Sequence, residues 1–355
     1  MTSPPTPRRK RSPATASPAP AGGTATLGQV AAAAGVSPST VSRILNGTAT
    51  VSDDKRKAVD EAIRTLGFRP NPVARGLAGG RTLSVGVLTQ TVSSPFYGEA
   101  LHGIELELER EGYIPLIASG HWQEDEERKA LDALMARRVD GLIVLAGRLS
   151  NDALQAYADQ VPVVVVGRQL TGPRLFSMEF DNVEGARLAT QHLVERGHER
   201  IAFIAGDPGH TDALERQAGY RAALADAGVR FDPALVREGD FTETGGLQAV
   251  TRLLDSRLPF SAIFAANDQM ATGAALALYR RGLRIPDDVS LVGFDDLLGA
   301  QFSLPPLTTV KQSIEEIGRQ AALAMLALLR GVEPKAEMPP PELVVRESTR
   351  VLLAR

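Results

Sequence analysis

After Thr82 the chain repeats one pattern. Short, almost uninterrupted apolar runs, LSVGVL, IPLIA, DGLIVL, VPVVVV, RIAFIA, SAIFAA and VSLVGF, alternate with stretches of helical periodicity. A strand that is apolar on both faces cannot meet water on either, so each run must lie in a sheet covered on both sides by helices. The helices between the runs supply that cover. They also impose parallel order, because a crossover helix brings the chain back to the same end of the sheet. The expectation is an α/β protein of doubly wound parallel sheets, and the stretch 83–355 is long enough to hold two of them.

The front of the chain is built differently. Residues 1–24 are Pro, Ala, Ser, Thr and Arg without periodicity, and are expected to form a disordered tail. Residues 25–69 read as a run of short helices. Residues 70–82, with Pro70, Pro72 and the Gly79-Gly80 pair, read as a linker to the core at 83–355. Charge divides along the same line: residues 1–82 hold 12 Lys and Arg against 4 Asp and Glu, leaving 27 against 38 for the remainder. A basic module on an acidic body points to nucleic acid at one end and another partner at the other. The chain has no cysteine, which excludes disulfides and thiolate metal sites and fits a reducing cytoplasm. No apolar run is long enough for a bilayer, so no membrane partner is expected. The basic start lacks the apolar segment of a secretory signal, and the whole chain is expected to be the mature protein.

The stretch TLGQVAAAAGVSPSTVSRILNG, Thr26 to Gly47, holds two helix starts a short distance apart. Thr26 and Gln29 have capping-box spacing, with Leu27, Val30, Ala31 and Ala34 on one face, and Gly35 ends that helix. Ser37 is a good N-cap with Pro38 behind it, and Val41, Ile44 and Leu45 form an inward stripe. A third helix from Ser52 carries Val59, Ala62, Ile63 and Leu66, and stops at Gly67. Spacing alone leaves open an ordinary αα-hairpin. A helix-turn-helix is the alternative, with its second helix in a DNA major groove. On that reading Pro38, Ser39, Ser42 and Arg43 point outward, with Thr26, Thr40 and Asn46 completing the candidate DNA-binding set. Arg43 can read guanine through a bidentate pair, whereas Ser39 discriminates weakly.

In open α/β sheets ligands sit beyond the carboxyl ends of the strands. Those ends carry Thr89 and Gln90, Gly167 and Arg168, Asn267 and Asp268, and Asp295 and Asp296. Carboxylates, an amide and an arginine suit a polyhydroxyl ligand, and an aromatic face can stack on its C–H side. Asp268 reads better as the N-cap of the helix QMATGAALALYRR than as a ligand contact, and Asp296 reads as structural.

The headpiece stretch, together with VSDDKRKAVDEAIRTLGFRPNPVARGLA, ANDQMATGAALAL, VSLVGFDD, PPLTTVKQ and LVVREST, closely resembles the LacI/GalR family of repressors over about residues 26–350. The resemblance implies a helix-turn-helix headpiece on a bilobed core like that of periplasmic binding proteins. Lobe 1 would be about 83–181 with 312–341, and lobe 2 about 182–311 with 342–355. It makes Ser39 and Arg43 base-reading positions, and Pro38 departs from members with a polar or aromatic residue there. It implies that the linker folds over the operator, with Leu77 wedged in the minor groove and Asn71 and Arg75 on phosphate or groove edges. Asp295, Arg216 and Asn267 match residues that bond sugar hydroxyls, and Phe241 matches an aromatic that stacks on the sugar, although a core position for Phe241 stays open. Arg168 is a further candidate for the effector site. Gly167 departs from members with a carboxylate.

The implied protein is a cytoplasmic homodimer that binds double-stranded operator DNA under control of a small effector, a sugar or sugar derivative. A corepressor, or a phosphoprotein partner, remains open within the family. YGEALHGIELELERE and EDEERKALDALMARR are candidate dimer elements, and the absence of a heptad helix after LVVRESTRVLLAR favours a dimer over a tetramer. Enzyme motifs are missing: there is no Walker loop, zincin helix or nucleophile elbow. The five histidines, His102, His121, His192, His198 and His210, show no metal-ligand spacing, and neither metal nor cofactor is expected. A periplasmic sugar-binding protein shares the core but would need a signal peptide and no helix-turn-helix.

Overall fold

The computed structural model describes residues 25–45, 50–68 and 81–352, which fall into two compact units, one within residues 1–80 and the other within 81–355. The expectations for the tail 1–24, for Asn46 and for Asn71, Arg75 and Leu77 lie outside the described residues.

In the first unit, α1 (Leu27–Ala33) opens with a full capping box. Gln29 N donates to Thr26 Oγ1 at 3.3 Å, and Thr26 N donates to Gln29 Oε1 at 2.8 Å, so the two residues hold the helix start reciprocally. The chain reverses at Gly35, whose φ of 65° lies where a side chain is strained. Next, α2 (Pro38–Leu45) starts with Thr40 N donating to Ser37 Oγ at 3.2 Å. Then α3 (Asp53–Leu66) ends at Gly67, beyond which Phe68 N donates to the Ile63 carbonyl at 3.0 Å. Val30, Ala31, Val41, Ile44, Val59, Ala62 and Phe68 make one small core. Leu66, expected on the inward stripe, is exposed. Phe68, carried round by the Gly67 turn, is buried instead.

The second unit contains two sheets. In the first lobe, β1 (Ser84–Thr89), β2 (Ile114–Ser119), β3 (Gly141–Leu145), β4 (Val163–Val166) and β5 (Leu175–Met178) run parallel in the order β2-β1-β3-β4-β5. In the second, β6 (Ile201–Ala205), β7 (Val236–Glu238), β8 (Ala262–Ala265), β9 (Ser290–Asp295), β10 (Thr308–Lys311) and β11 (Glu342–Val344) take the order β11-β10-β9-β8-β6-β7. Among the described strands only β11, a short edge strand, pairs antiparallel. Val163, Val164 and Val165 are fully buried, as are Ala262 to Ala265, which is the burial that uninterrupted apolar runs require.

The helices cover these sheets closely. In the first lobe α4 (Pro95–Arg110) lies against the late helix Ile314–Leu329, which also packs on β3 and β4. A Cβ at Gly103 would run into the Glu315 carbonyl, and one at Gly318 into that of Ala100, so both helices need glycine where their backbones meet. The chain therefore returns to the first lobe after β10 and ends in the second sheet with β11. Among the described residues no helix is long and apolar enough to cross a membrane.

Candidate DNA-reading and ligand sites

On the headpiece, Pro38, Ser39 and Arg43 are exposed on α2, with Ser42 and Thr40 half-buried. Arg43 Nε donates to the Ser39 carbonyl one turn back at 3.3 Å, which lays its side chain along the early part of the helix. The Ser37 hydroxyl shares hydrogen bonds with those of Ser39 and Thr40, each at 2.8 Å. Thr26 is exposed, and its side chain is engaged in the capping box.

In the core, a cavity of about 390 Å³ opens at the carboxyl ends of the strands of both sheets. The segment after β1 contributes Thr91, Ser94, Phe96 and Tyr97, and the turn after β2 contributes Trp122. From the second sheet come His210, Asp212 and Arg216 after β6, and Asp240, Phe241 and Glu243 after β7. Asn267 and Gln269 follow β8, and Asp295 ends β9. Arg216, Phe241, Asn267 and Asp295, four of the five residues proposed from the sequence, therefore meet in one place.

Arg216 and Asp295 form the floor, each 3% exposed, with Nη1 and Oδ1 at 3.5 Å. Arg216 Nε donates to Asn182 Oδ1 at 2.9 Å, Nη1 donates to the Ala266 carbonyl, and the guanidinium carbon lies 3.9 Å from the centre of the Phe294 ring. Gln312 Nε2 donates to Asp295 Oδ1 at 2.7 Å. Burial raises the Asp295 carboxyl to about 7, against the opposing pull of Arg216 and the Gln312 hydrogen bond. Burial also raises Asp212, again opposed by Arg216 and by the Asn182 amide.

The walls are aromatic. Trp122 stacks on His210 with ring centres 3.6 Å apart, and His210 lies parallel to Phe241 at 5.5 Å. Trp122 comes from the first lobe and the other two from the second, so the stack crosses between lobes. Its ends are held by backbone: Trp122 N donates to Gln90 Oε1 at 2.8 Å, and Asn267 Nδ2 donates to the Phe241 carbonyl at 3.0 Å. Burial pushes the His210 imidazole down to about 4. Further contacts join the lobes, among them Arg148 to Asp207 at 3.0 Å and Ser94 Oγ to Gln269 Oε1 at 2.9 Å.

Several sequence expectations change. Arg168 does not line the cavity; its Nη2 donates to the Leu149 carbonyl at 2.7 Å, which turns the guanidinium aside. Asn267, not Asp268, caps the helix Asp268–Arg280, its Oδ1 accepting from Met270 N at 2.9 Å. Its amide is thus committed on both sides. Asp268 is nevertheless structural, accepting from Thr309 Oγ1 at 2.6 Å and Leu297 N at 2.8 Å. Asp296 turns away from Asp295 to pair with Arg346 at 2.7 Å. Trp122, His210, Tyr97 and Asp240 were missed, although the strand-end rule applied to IPLIA and RIAFIA leads to the first two. Among the described residues no group of three or more acidic, His or Cys side chains could hold a metal ion.

A helix-turn-helix unit, joined in one chain to a two-lobed body with a cavity at its strand ends, defines a DNA-binding regulator with a ligand-binding core. Residues 26–71 match the bacterial regulatory proteins of the lacI family, and residues 82–350 match the periplasmic binding proteins and sugar binding domain of the LacI family. The chain belongs to the LacI family of bacterial regulatory proteins. It is 35% identical over 338 residues to the HTH-type transcriptional repressor PurR of Haemophilus influenzae, covering 93% of this chain and all of that one. Among solved structures it is similar to the lac repressor dimer bound to operator and the anti-inducer ONPF, with 31% identity and a TM-score of 0.83 over 92% of this chain and 100% of that one. The transcriptional regulator CelR–cellobiose complex is 37% identical, with a TM-score of 0.68 over 91% of this chain and 99% of that one. The protein is a DNA-binding transcriptional regulator of the repressor class, and its relatives are regulators, not enzymes.

Proposed function

We propose that the core cavity binds a sugar or a close derivative, and that the ligand sets the affinity of the headpiece for its operator. The observation that carries this is the pairing of aromatic faces, Trp122 and Phe241, with the buried carboxylate Asp295 in one cavity. Ring C–H faces stack on aromatics while hydroxyls donate to carboxylates. The cavity lies between two lobes, so a ligand that contacts both favours one lobe arrangement over another, which is what a ligand must do to act at a distance. A thermal-shift screen of the full chain against sugars tests the reading, because a ligand at 100 times its Kd adds about 2.7 kcal/mol. If sugars produce no shift and another ligand class does, the assignment is wrong.

The working form is a homodimer in the cytoplasm, because one headpiece reads only a half-site and the operator lies on the chromosome. Exposed apolar surface supports self-association: Phe302 is 74% exposed and Leu304 95%, and Ile114 and Ile117 stand out on edge strand β2. Sedimentation of a concentration-independent monomer would overturn it. On α2, Ser39 and Arg43 read bases. Arg43→Ala should cost about 1–3 kcal/mol per half-site and relax preference at one base position, whereas equal loss on random DNA would make Arg43 a phosphate contact.

A further inference from the structure

We propose that this cavity selects its ligand by charge, accepting uncharged saccharides and refusing sugar phosphates and sugar acids. The inference rests on the saccharide reading and adds a rule that nothing in that reading requires. Four carboxyl groups line the cavity, those of Asp212, Asp240, Glu243 and Asp295, against one cation, Arg216. That cation is engaged on two of its three nitrogens and on one face. Its Nε is held by Asn182, its Nη1 by the Ala266 carbonyl and Asp295, and its face by Phe294. A phosphate or carboxylate needs a free guanidinium or ammonium, or open backbone N–H groups at a helix start.

Two of the helix starts around the cavity are closed by side-chain caps. Thr242 Oγ1 accepts from Gly245 N at 3.0 Å at the start of helix Glu243–Asp255, and Asn267 accepts from Met270 N at the start of the next. The first turns carry Asp212 and Glu243, so the positive helix ends are matched by the protein's own carboxylates. Helix Pro95–Arg110 begins with a proline, which takes one N–H out of its first turn. An anion would therefore enter a site where four carboxyl groups outnumber the one cation. Uncharged hydroxyls face the opposite situation: Oδ2 of Asp295 and Oδ2 of Asp240 accept no hydrogen bond among the described residues, and both acids line the cavity.

The test uses the full-length protein and matched ligands that differ in charge. Glucose, ribose and cellobiose are each compared with a phosphorylated form, glucose also with glucuronate, and adenosine with adenosine monophosphate. Binding is read by thermal shift and by the fluorescence of Trp122, the one tryptophan of the chain, whose ring lies in the cavity wall. The uncharged member of a pair should bind, and its anionic counterpart should bind at least about tenfold more weakly. An anionic member that binds as well as its neutral partner overturns the proposal. If only the nucleoside pair responds, the saccharide reading fails, and adenosine against its monophosphate still decides the charge rule. Silence across the panel overturns the cavity as a ligand site and this inference with it. The paired substitution Asp240→Asn with Glu243→Gln keeps an acceptor oxygen for each residue's protein partner. It should raise affinity for the phosphorylated members by roughly tenfold, and no change would show that these acids do not set the selection.

Discussion

The two walls of the cavity are chemically unlike. The first lobe brings hydroxyls and rings, Thr91, Ser93, Ser94, Phe96, Tyr97 and Trp122, without a formal charge among them. The second brings every charged group, Asp212, Arg216, Asp240, Glu243 and Asp295. Charges are costly to bury unless their partners are preorganised, and the second lobe fixes its pair within one sheet and the helix behind it. Rings tolerate movement better, since stacking falls off gently with position. The division suggests that the second lobe orients a ligand and the first closes over it. Each wall can be attacked separately.

The largest effect should come from Arg216→Ala. It leaves Asp295 and Asp212 buried without their cation, and breaking such a pair from one side typically costs about 3–5 kcal/mol. Urea denaturation measures it, and a loss under about 1 kcal/mol, on the scale of an exposed pair, would show that Arg216 does not stabilise the floor.

Asp295→Asn should weaken ligand binding by roughly ten- to a hundredfold, about 1.5–3 kcal/mol for a charged acceptor, and leave operator affinity without ligand near that of the parent. A drop in operator affinity with no small molecule present would instead make Asp295 a support of the lobe arrangement. Its pH dependence has a definite sign. The folded carboxyl titrates near 7, above its unfolded value, so the native state holds the extra proton between about pH 4 and 7 and stability from this group falls as pH rises through that window. The Asn variant should lose that slope. Ligand affinity should run the other way, strengthening as pH rises through 7 and the carboxylate forms, and a flat profile from pH 6 to 8 would contradict the assignment.

Trp122→Ala tests the uncharged wall. Losing one stacked ring is worth about 0.5–1.5 kcal/mol, so ligand affinity should fall by up to about tenfold with folding stability little changed. Equal losses in stability and binding would place Trp122 in the core instead of the wall. The smallest effect belongs to Arg148→Ala. The Arg148–Asp207 pair joins the lobes, but its side chains are 40% and 39% exposed, and such pairs contribute about 0.2–1 kcal/mol at most. A larger change in ligand affinity would mean that this pair governs closure.

Strand and helix order, the two-sheet body and the headpiece were readable from residue order because each depends on local periodicity and caps. Thr26 with Gln29, Gly35 and Gly67 mark helix ends through bonds that span a few residues. Arg216, Phe241 and Asp295 were reachable because a strand's carboxyl end, or a motif matched by resemblance, places a residue near the cavity whatever its partners are. Partners decided the rest. Arg168 stands at such an end too, yet the Leu149 carbonyl takes its guanidinium, and Asn267 spends its amide on a helix start and on the Phe241 carbonyl. The meeting of Trp122 with His210, or of Arg148 with Asp207, joins loops from different sheets. No periodicity encodes such a contact, because it depends on how two separately folded lobes face each other, and only packing in three dimensions sets that.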